Sequence, residues 1–386
     1  MKNRIYFDNA ATTPLRPEVI ETMTTAMRDT FGNPSSIYTE GRTARAAVEQ
    51  ARKTVANCLG ASIGEIFFTS CGTESNNMVL KCAVRDLGVE RIISSPVEHH
   101  CILHSLESIE KDGTTVIDYL KVEPTGRPDL EHLRQLLAED GKKTLVSLMH
   151  SNNEIGTMID LEEVSAICQE YGALFHSDTV QTVGYFPIDV EKTKINFLSG
   201  SAHKFYGPKG TGFVYINNDN IIKPYIDGGS QERNMRGGTE NIYGILGLAK
   251  ALELAVRDME IHRQHIEGIR QYMKEQLETH FDNLVFNGDP DGLAHYKVLS
   301  VGFPPSPKAN LLLLNLDMAG ISVSGGSACS SGVDVGSHVM STLYGNSERK
   351  TIRFSFSYRN TKEEVDTVIE ALKTIIPTKG WAVENA

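Results

Sequence analysis

The 386-residue sequence contains no apolar run approaching the roughly 20 residues that a membrane-crossing helix needs. Its opening, MKNRIYFDNAATTP, lacks the apolar core of a secretion signal, so a cytoplasmic protein is expected. Positive charge is in short supply. With 38 Lys and Arg against 49 Asp and Glu, the formal charge of -11 gives neither nucleic acid nor an anionic membrane a reason to bind. Cysteine is sparse and scattered: Cys58, Cys71, Cys82, Cys101, Cys168 and Cys329 include no CxxC pair, which argues against a disulfide framework or a structural zinc site. Internal repeats and low-complexity segments are also missing, which excludes solenoids and disordered linkers. What remains, 40% hydrophobic and 23% charged, is an ordinary globular composition on a chain long enough for two or three domains.

The runs EIFFTS, RIISS, TLVSLMH, ALFHSD, INFLS and TGFVYI read as strands, rich in β-branched and aromatic residues. Between several of them lie the helical patterns TARAAVEQARKTVANCLG, LEHLRQLLAED and DLEEVSAICQEYG, with apolar positions three and four apart. This alternation predicts an α/β fold whose mainly parallel sheet is covered by helices, with ligands bound at the carboxyl ends of the strands. From Thr239 to about Phe281 the helical pattern runs unusually long, as one bent helix or two. Beyond it HYKVLSVGF, TIRFSFS and TKEEVDTVIEALKTII predict a smaller α+β domain. The expected division is a large domain over residues 14–258 and a small one formed by 1–13 with 259–386.

Polar residues gather at the expected strand ends. Lys204, in SGSAHKFYGPKGTG, is either a turn lysine in water or an inward-facing amine that acts as a reagent. Gly72 and Thr73 open a helix whose free N–H groups could hold a phosphate, unless Thr73 is a plain N-cap with Glu74 in the first turn. Asp178 could merely cap the next helix, and His99 could be a ring for stacking or a satisfied structural donor. Read jointly, these residues meet the needs of pyridoxal phosphate. Lys204 supplies a Schiff-base amine, Asp178 keeps the pyridine nitrogen protonated, Gln181 tunes the phenolic oxygen and His99 covers the ring. Gly72, Thr73, Ser201 and His203 grip the phosphate.

The motifs YFDNAATTP, FGNPSS, FTSCGTESNN, VEHH, HSNNEIGT, HSDTVQTVG, SAHKFYGPKG, ERNMRGGTEN, SGSACSSG and IRFS occur in an order that resembles the cysteine desulfurases of the nitrogen-fixation and iron-sulfur-cluster type, over nearly the whole chain. The resemblance implies a fold-type I transferase dependent on pyridoxal 5'-phosphate that converts L-cysteine to L-alanine. It makes Lys204 the Schiff-base lysine and Arg353 the carboxylate clamp, and puts Asn153 near the phenolic oxygen and the substrate carboxylate. Thr239 would reach the phosphate of the other subunit of a homodimer. Cys329, in a Ser/Gly-rich stretch expected to be mobile, would carry the sulfur as a persulfide to an acceptor such as an Fe-S scaffold or a tRNA-thiolation carrier. His99 would act as acid or base on the substrate thiol. Cys71 departs from the family glycine, either as inert packing or as a second reactive thiol, and the stretch after Cys329 lacks the usual proline. A selenocysteine lyase or another lyase using the same cofactor is the nearest rival. A metal-dependent hydrolase is disfavoured, because His100 and His104 in EHHCILH have no evident third ligand.

Overall fold

The computed structural model describes residues 4–139, 141–305, 309–325 and 336–379. Its strands in chain order are β1 (Ile5–Tyr6), β2 (Ile66–Thr69), β3 (Arg91–Ser94), β4 (Val116–Tyr119), β5 (Thr144–Ser147), β6 (Leu174–Asp178), β7 (Phe197–Ser201), β8 (Gly212–Ile216), β9 (Val285–Phe286), β10 (Val298–Phe303), β11 (Ile321–Ser322) and β12 (Lys350–Ser355). The seven-stranded sheet has the order β2-β8-β7-β6-β5-β3-β4, and β8 alone runs against the other six.

Each of the six apolar runs contains one of these strands. Successive residues point to opposite faces: Phe67, Ile92, Leu145, Phe197 and Val214 join one apolar cluster, and Phe68, Ile93, Val146, Leu198 and Phe213 join another. The sheet is thus buried on both faces, which is why these strands read as continuous apolar runs. β4 was not foreseen. It is an edge strand without a buried residue, so burial left no alternation in its sequence.

The long helical stretch is two helices, Ile242–Arg257 and Met259–His280, broken at Asp258 (φ −97°, ψ 6°). Asp258 accepts from both Arg257 and Arg16 (2.7 Å each), tying the break to the start of the chain. A second, antiparallel sheet, β12-β10-β9, follows, and β1 pairs in parallel with β11. The last helix, Lys362–Ile375, opens with a Thr361/Glu364 capping box and packs on Met259–His280. No helix among the described residues is long and apolar enough to cross a membrane.

Candidate active site

Because β2, β3, β5, β6 and β7 run the same way, the turns after Thr69, Ser94, Ser147, Asp178 and Ser201 open at one edge of the sheet. They surround a cavity of ≈ 320 Å³. Gly72, Thr73, His99, Asn153, Asp178, Gln181, Ser201, His203, Lys204 and Arg353 all line it. Thr239 is not among the lining residues and is exposed. Cys329 lies outside the described residues.

Lys204 ends a short 3-10 turn, Ala202–Lys204, directly after β7. Its Nζ donates to the carbonyls of Ala10 (2.7 Å) and Ala11 (2.8 Å), so the lysine faces inward rather than water. The Tyr185 hydroxyl donates to the Lys204 carbonyl (2.9 Å) and fixes the backbone from which the amine projects. Asp178 ends β6 with its carboxylate buried: Oδ1 accepts from Val180 N (2.9 Å) and Oδ2 from Asn76 Nδ2 (2.7 Å). The first contact closes a turn rather than capping a helix, since the next helix, Val190–Thr193, is capped by Asp189. The second, from a neighbouring helix, holds the acid in the cavity wall.

The helix Gly72–Leu87 starts at the cavity with Cys71 as N-cap and no side chain capping it, so Thr73 is not a plain cap. Glu74 instead accepts from Ser70 N (2.9 Å) and pairs with Arg236 (2.8 Å). A Cβ on Gly72 would meet Val180 Cγ2 at 2.5 Å, so only glycine brings the helix this close to the turn after Asp178. Ser201 Oγ and Gln181 Oε1 are buried in the same lining without a partner. An uncapped helix N-terminus, an unpartnered hydroxyl and an inward amine together fit a phosphate-bearing aldehyde such as pyridoxal phosphate.

Two histidines are biased toward neutrality. Burial, with Lys204 adding repulsion, pushes His203 down to about 4. His99 is lowered chiefly by burial, against the opposing pull of Asp178. It caps the helix His100–Lys111 by accepting Cys101 N–H at Nδ1 (3.1 Å). A neutral ring in that role carries its proton on Nε2, so His99 offers a donor rather than a base. Cys101 is pushed up to about 12 by burial and Asp178. Cys71, half-buried, stands on the cavity wall.

Arg353, on β12, is 1% exposed. Nη1 donates to the Asn153 carbonyl and Nη2 to Asp8 Oδ1, both at 2.7 Å, while Nε is buried and unpartnered. The usual fate of an outer-strand arginine, solvation, does not apply. The rings of His100 and His104 stack at 5.3 Å, and no described set of three or more His, Cys, Asp or Glu is grouped to hold a metal ion.

Sequence reasoning missed Asn76 and Asp8. Asn76 lies four residues beyond Gly72 on one helix face, a spacing that could have placed it beside the cavity. Asp8 is far from Arg353 in the chain and gave no such signal.

Residues 5–368 match the family described as Aminotransferase class-V. Cysteine desulfurase IscS of Dictyoglomus turgidum is 42% identical over 398 residues, covering 100% of both chains. Putative cysteine desulfurase IscS 1 of Bacillus subtilis is 40% identical over 380 residues, covering 97% of this chain and 98% of its own. Among solved structures, a NifS-like protein superposes with a TM-score of 0.88 at 36% identity, covering 97% of this chain and 99% of that one. SspA in complex with cysteine superposes with a TM-score of 0.79 at 30% identity, covering 93% of this chain and 100% of that one.

Proposed function

The chain belongs to the aminotransferase class-V family and is a cysteine desulfurase dependent on pyridoxal phosphate, and on that premise we propose how its own residues carry the reaction. The substrate is L-cysteine and the carbon product L-alanine. The observation that carries the residue assignment is the meeting of the Lys204 amine, the Asp178 carboxylate and the Arg353 guanidinium around one cavity.

When bound, the cofactor supplies a ring that accepts the electron pair left as the substrate's Cα–H bond breaks. Lys204 would hold its aldehyde group, and its Nζ, once free, would take the substrate's α-proton. Asp178, fixed by Asn76 and Val180, keeps a proton on the pyridine nitrogen. The N-terminus of Gly72–Leu87 with Thr73, Ser201 and His203 would hold the phosphate, Gln181 and Asn153 would serve the phenolic oxygen, and His99 would lie against the ring with its Nε2–H as a hydrogen-bond donor. Arg353 retains Nε–H and one N–H on each terminal nitrogen for the substrate carboxylate. The Cys329 thiolate attacks the substrate sulfur and the C–S bond breaks, so sulfur remains as a persulfide on Cys329 and the carbon skeleton, after protonation, leaves as alanine.

Thr239 serves the phosphate of a second copy in a homodimer, which accounts for its exposure here. Residues 14–258 form the cofactor domain, and residues 1–13 with 259–386 form the smaller one that bears Cys329. The persulfide passes to an acceptor protein, an Fe-S scaffold or a tRNA-thiolation carrier. A reaction that runs through a free thiol calls for a reducing compartment, and the five described cysteines form no disulfide, which supports the cytoplasm.

The experiment is to supply the Cys329→Ser holoprotein with L-cysteine. The expected result is retention of the bound cofactor's visible absorption with loss of both persulfide and catalytic alanine formation. Alanine and sulfide formation at the unaltered rate would reject Cys329 as the acceptor.

A further inference from the structure

One short segment supplies the counter-groups for both cations of the cavity. Asp8 pairs with Arg353, and the carbonyls of Ala10 and Ala11 accept from Lys204. The segment is zipped to β12 around the arginine. Ser355 N donates to the Phe7 carbonyl (2.8 Å), Asn9 N and Asn9 Nδ2 donate to the Ser355 carbonyl (3.2 and 2.9 Å), and Ala10 N donates to Ser355 Oγ (2.8 Å). Asp8 itself bridges Ser355, two residues from Arg353. The backbone that bears its carboxylate is therefore held beside Arg353, which favours a standing counter-ion over a displaced one.

We propose that Asp8 is a specificity-determining residue: by neutralising Arg353 in place, it keeps the clamp from capturing simple carboxylates and reserves it for a ligand whose amino group is also held in the cavity. An almost fully buried guanidinium without a counter-ion would bind any small anion that reached it, since its desolvated charge has no other partner. With Asp8 on Nη2 the pair is neutral, and a second carboxylate gains hydrogen bonds from the remaining N–H groups but little net Coulomb attraction. A lone monocarboxylate gains too little to stay. An α-amino acid adds its covalent exchange at Lys204 and does stay. The inference rests on Arg353 being the carboxylate clamp proposed above.

The test uses acetate as the probe on the holoprotein, with two readouts: the acetate-induced change in melting temperature and acetate competition against L-cysteine. The unaltered protein is expected to be indifferent to acetate in both. Asp8→Asn keeps the side-chain shape but not the charge. It should gain thermal stabilisation by acetate, and acetate should become a competitor of cysteine with an inhibition constant at least about tenfold below the highest acetate concentration that leaves the unaltered protein unaffected. The same gain is expected of Asp8→Ser, which serves if the asparagine variant does not fold. In Asp8→Asn/Arg353→Met the stabilisation should vanish. Indifference of both single variants to acetate would overturn the proposal and leave Asp8 a structural strut. Acetate binding to the unaltered protein that Arg353→Met abolishes would also overturn it. Acetate stabilisation that persists in the double variant would instead show that the anion sits elsewhere, removing the clamp assignment and the proposal built on it.

Discussion

Lys297 and Lys204 are two inward-facing lysines with opposite circumstances. Lys204 has carbonyl acceptors and a cavity in front of it, whereas Lys297 is 0% exposed, with an unpartnered Nζ 3.8 Å from the centroid of the Tyr185 ring. Burial, with repulsion from Lys204 and Arg353, drives the Lys297 amine well below its ordinary 10.5. The folded state then binds fewer protons than the unfolded state below that ordinary value. The cost to stability is absent above about pH 10.5, grows as pH falls, and levels off below the folded value. Lys297→Met, similar in length and without the unpaired amine, should raise stability at pH 7 by about 1–3 kcal/mol and flatten the alkaline pH dependence. Denaturant melts across a pH series check this, and a destabilised variant with the pH slope unchanged would contradict it.

At the scale of elements, the turn Gln231–Asn234 shows how a buried ion pair can hold an unfavourable backbone. Glu232, Arg233 and Asn234 all have positive φ (44°, 56° and 65°), a conformation in which a side chain crowds the backbone. The Glu232 carboxylate accepts from Arg52 Nη1 (2.6 Å), Arg52 Nη2 (3.0 Å) and Phe68 N (2.8 Å), and both side chains are almost fully buried. Glu232→Gln leaves Arg52 with only the more exposed Glu49 carboxylate (3.1 Å) as a counter-charge and should cost roughly 3 kcal/mol in a thermal or denaturant melt. A loss below about 1 kcal/mol would mean that the turn is held by something else. Neither the pair nor the strained turn was legible in the sequence, because the partners lie on separate elements. The central strands were legible because burial on both faces makes them continuously apolar. The edge strand β4, without a buried residue, left no such trace.

The whole molecule sets what local motifs can reveal. Residues near Lys204 and around Gly72 were readable because each motif sits at the end of its own strand. Parallel topology then brings those ends together whatever the chain between them. The Asp8–Arg353 pair was not readable, since it depends on how the first residues of the chain meet β12. Thr239 belongs to this scale too, being exposed and away from the cavity. If Thr239 serves the other subunit's phosphate, mixing inactive Lys204→Ala with Thr239→Ala chains should restore about a quarter of wild-type activity, since half the dimers are mixed and each mixed dimer has one intact site. Activity that fails to exceed the sum of the separate variants would place Thr239 in its own subunit's site, or in none.

Every step assigned above depends on the amine of Lys204 holding the cofactor. The most direct measurement is borohydride reduction of the holoprotein followed by peptide mapping. The cofactor's mass should appear on the peptide containing Lys204 and nowhere else. A label on another lysine, with Lys204 unmodified, would contradict the account.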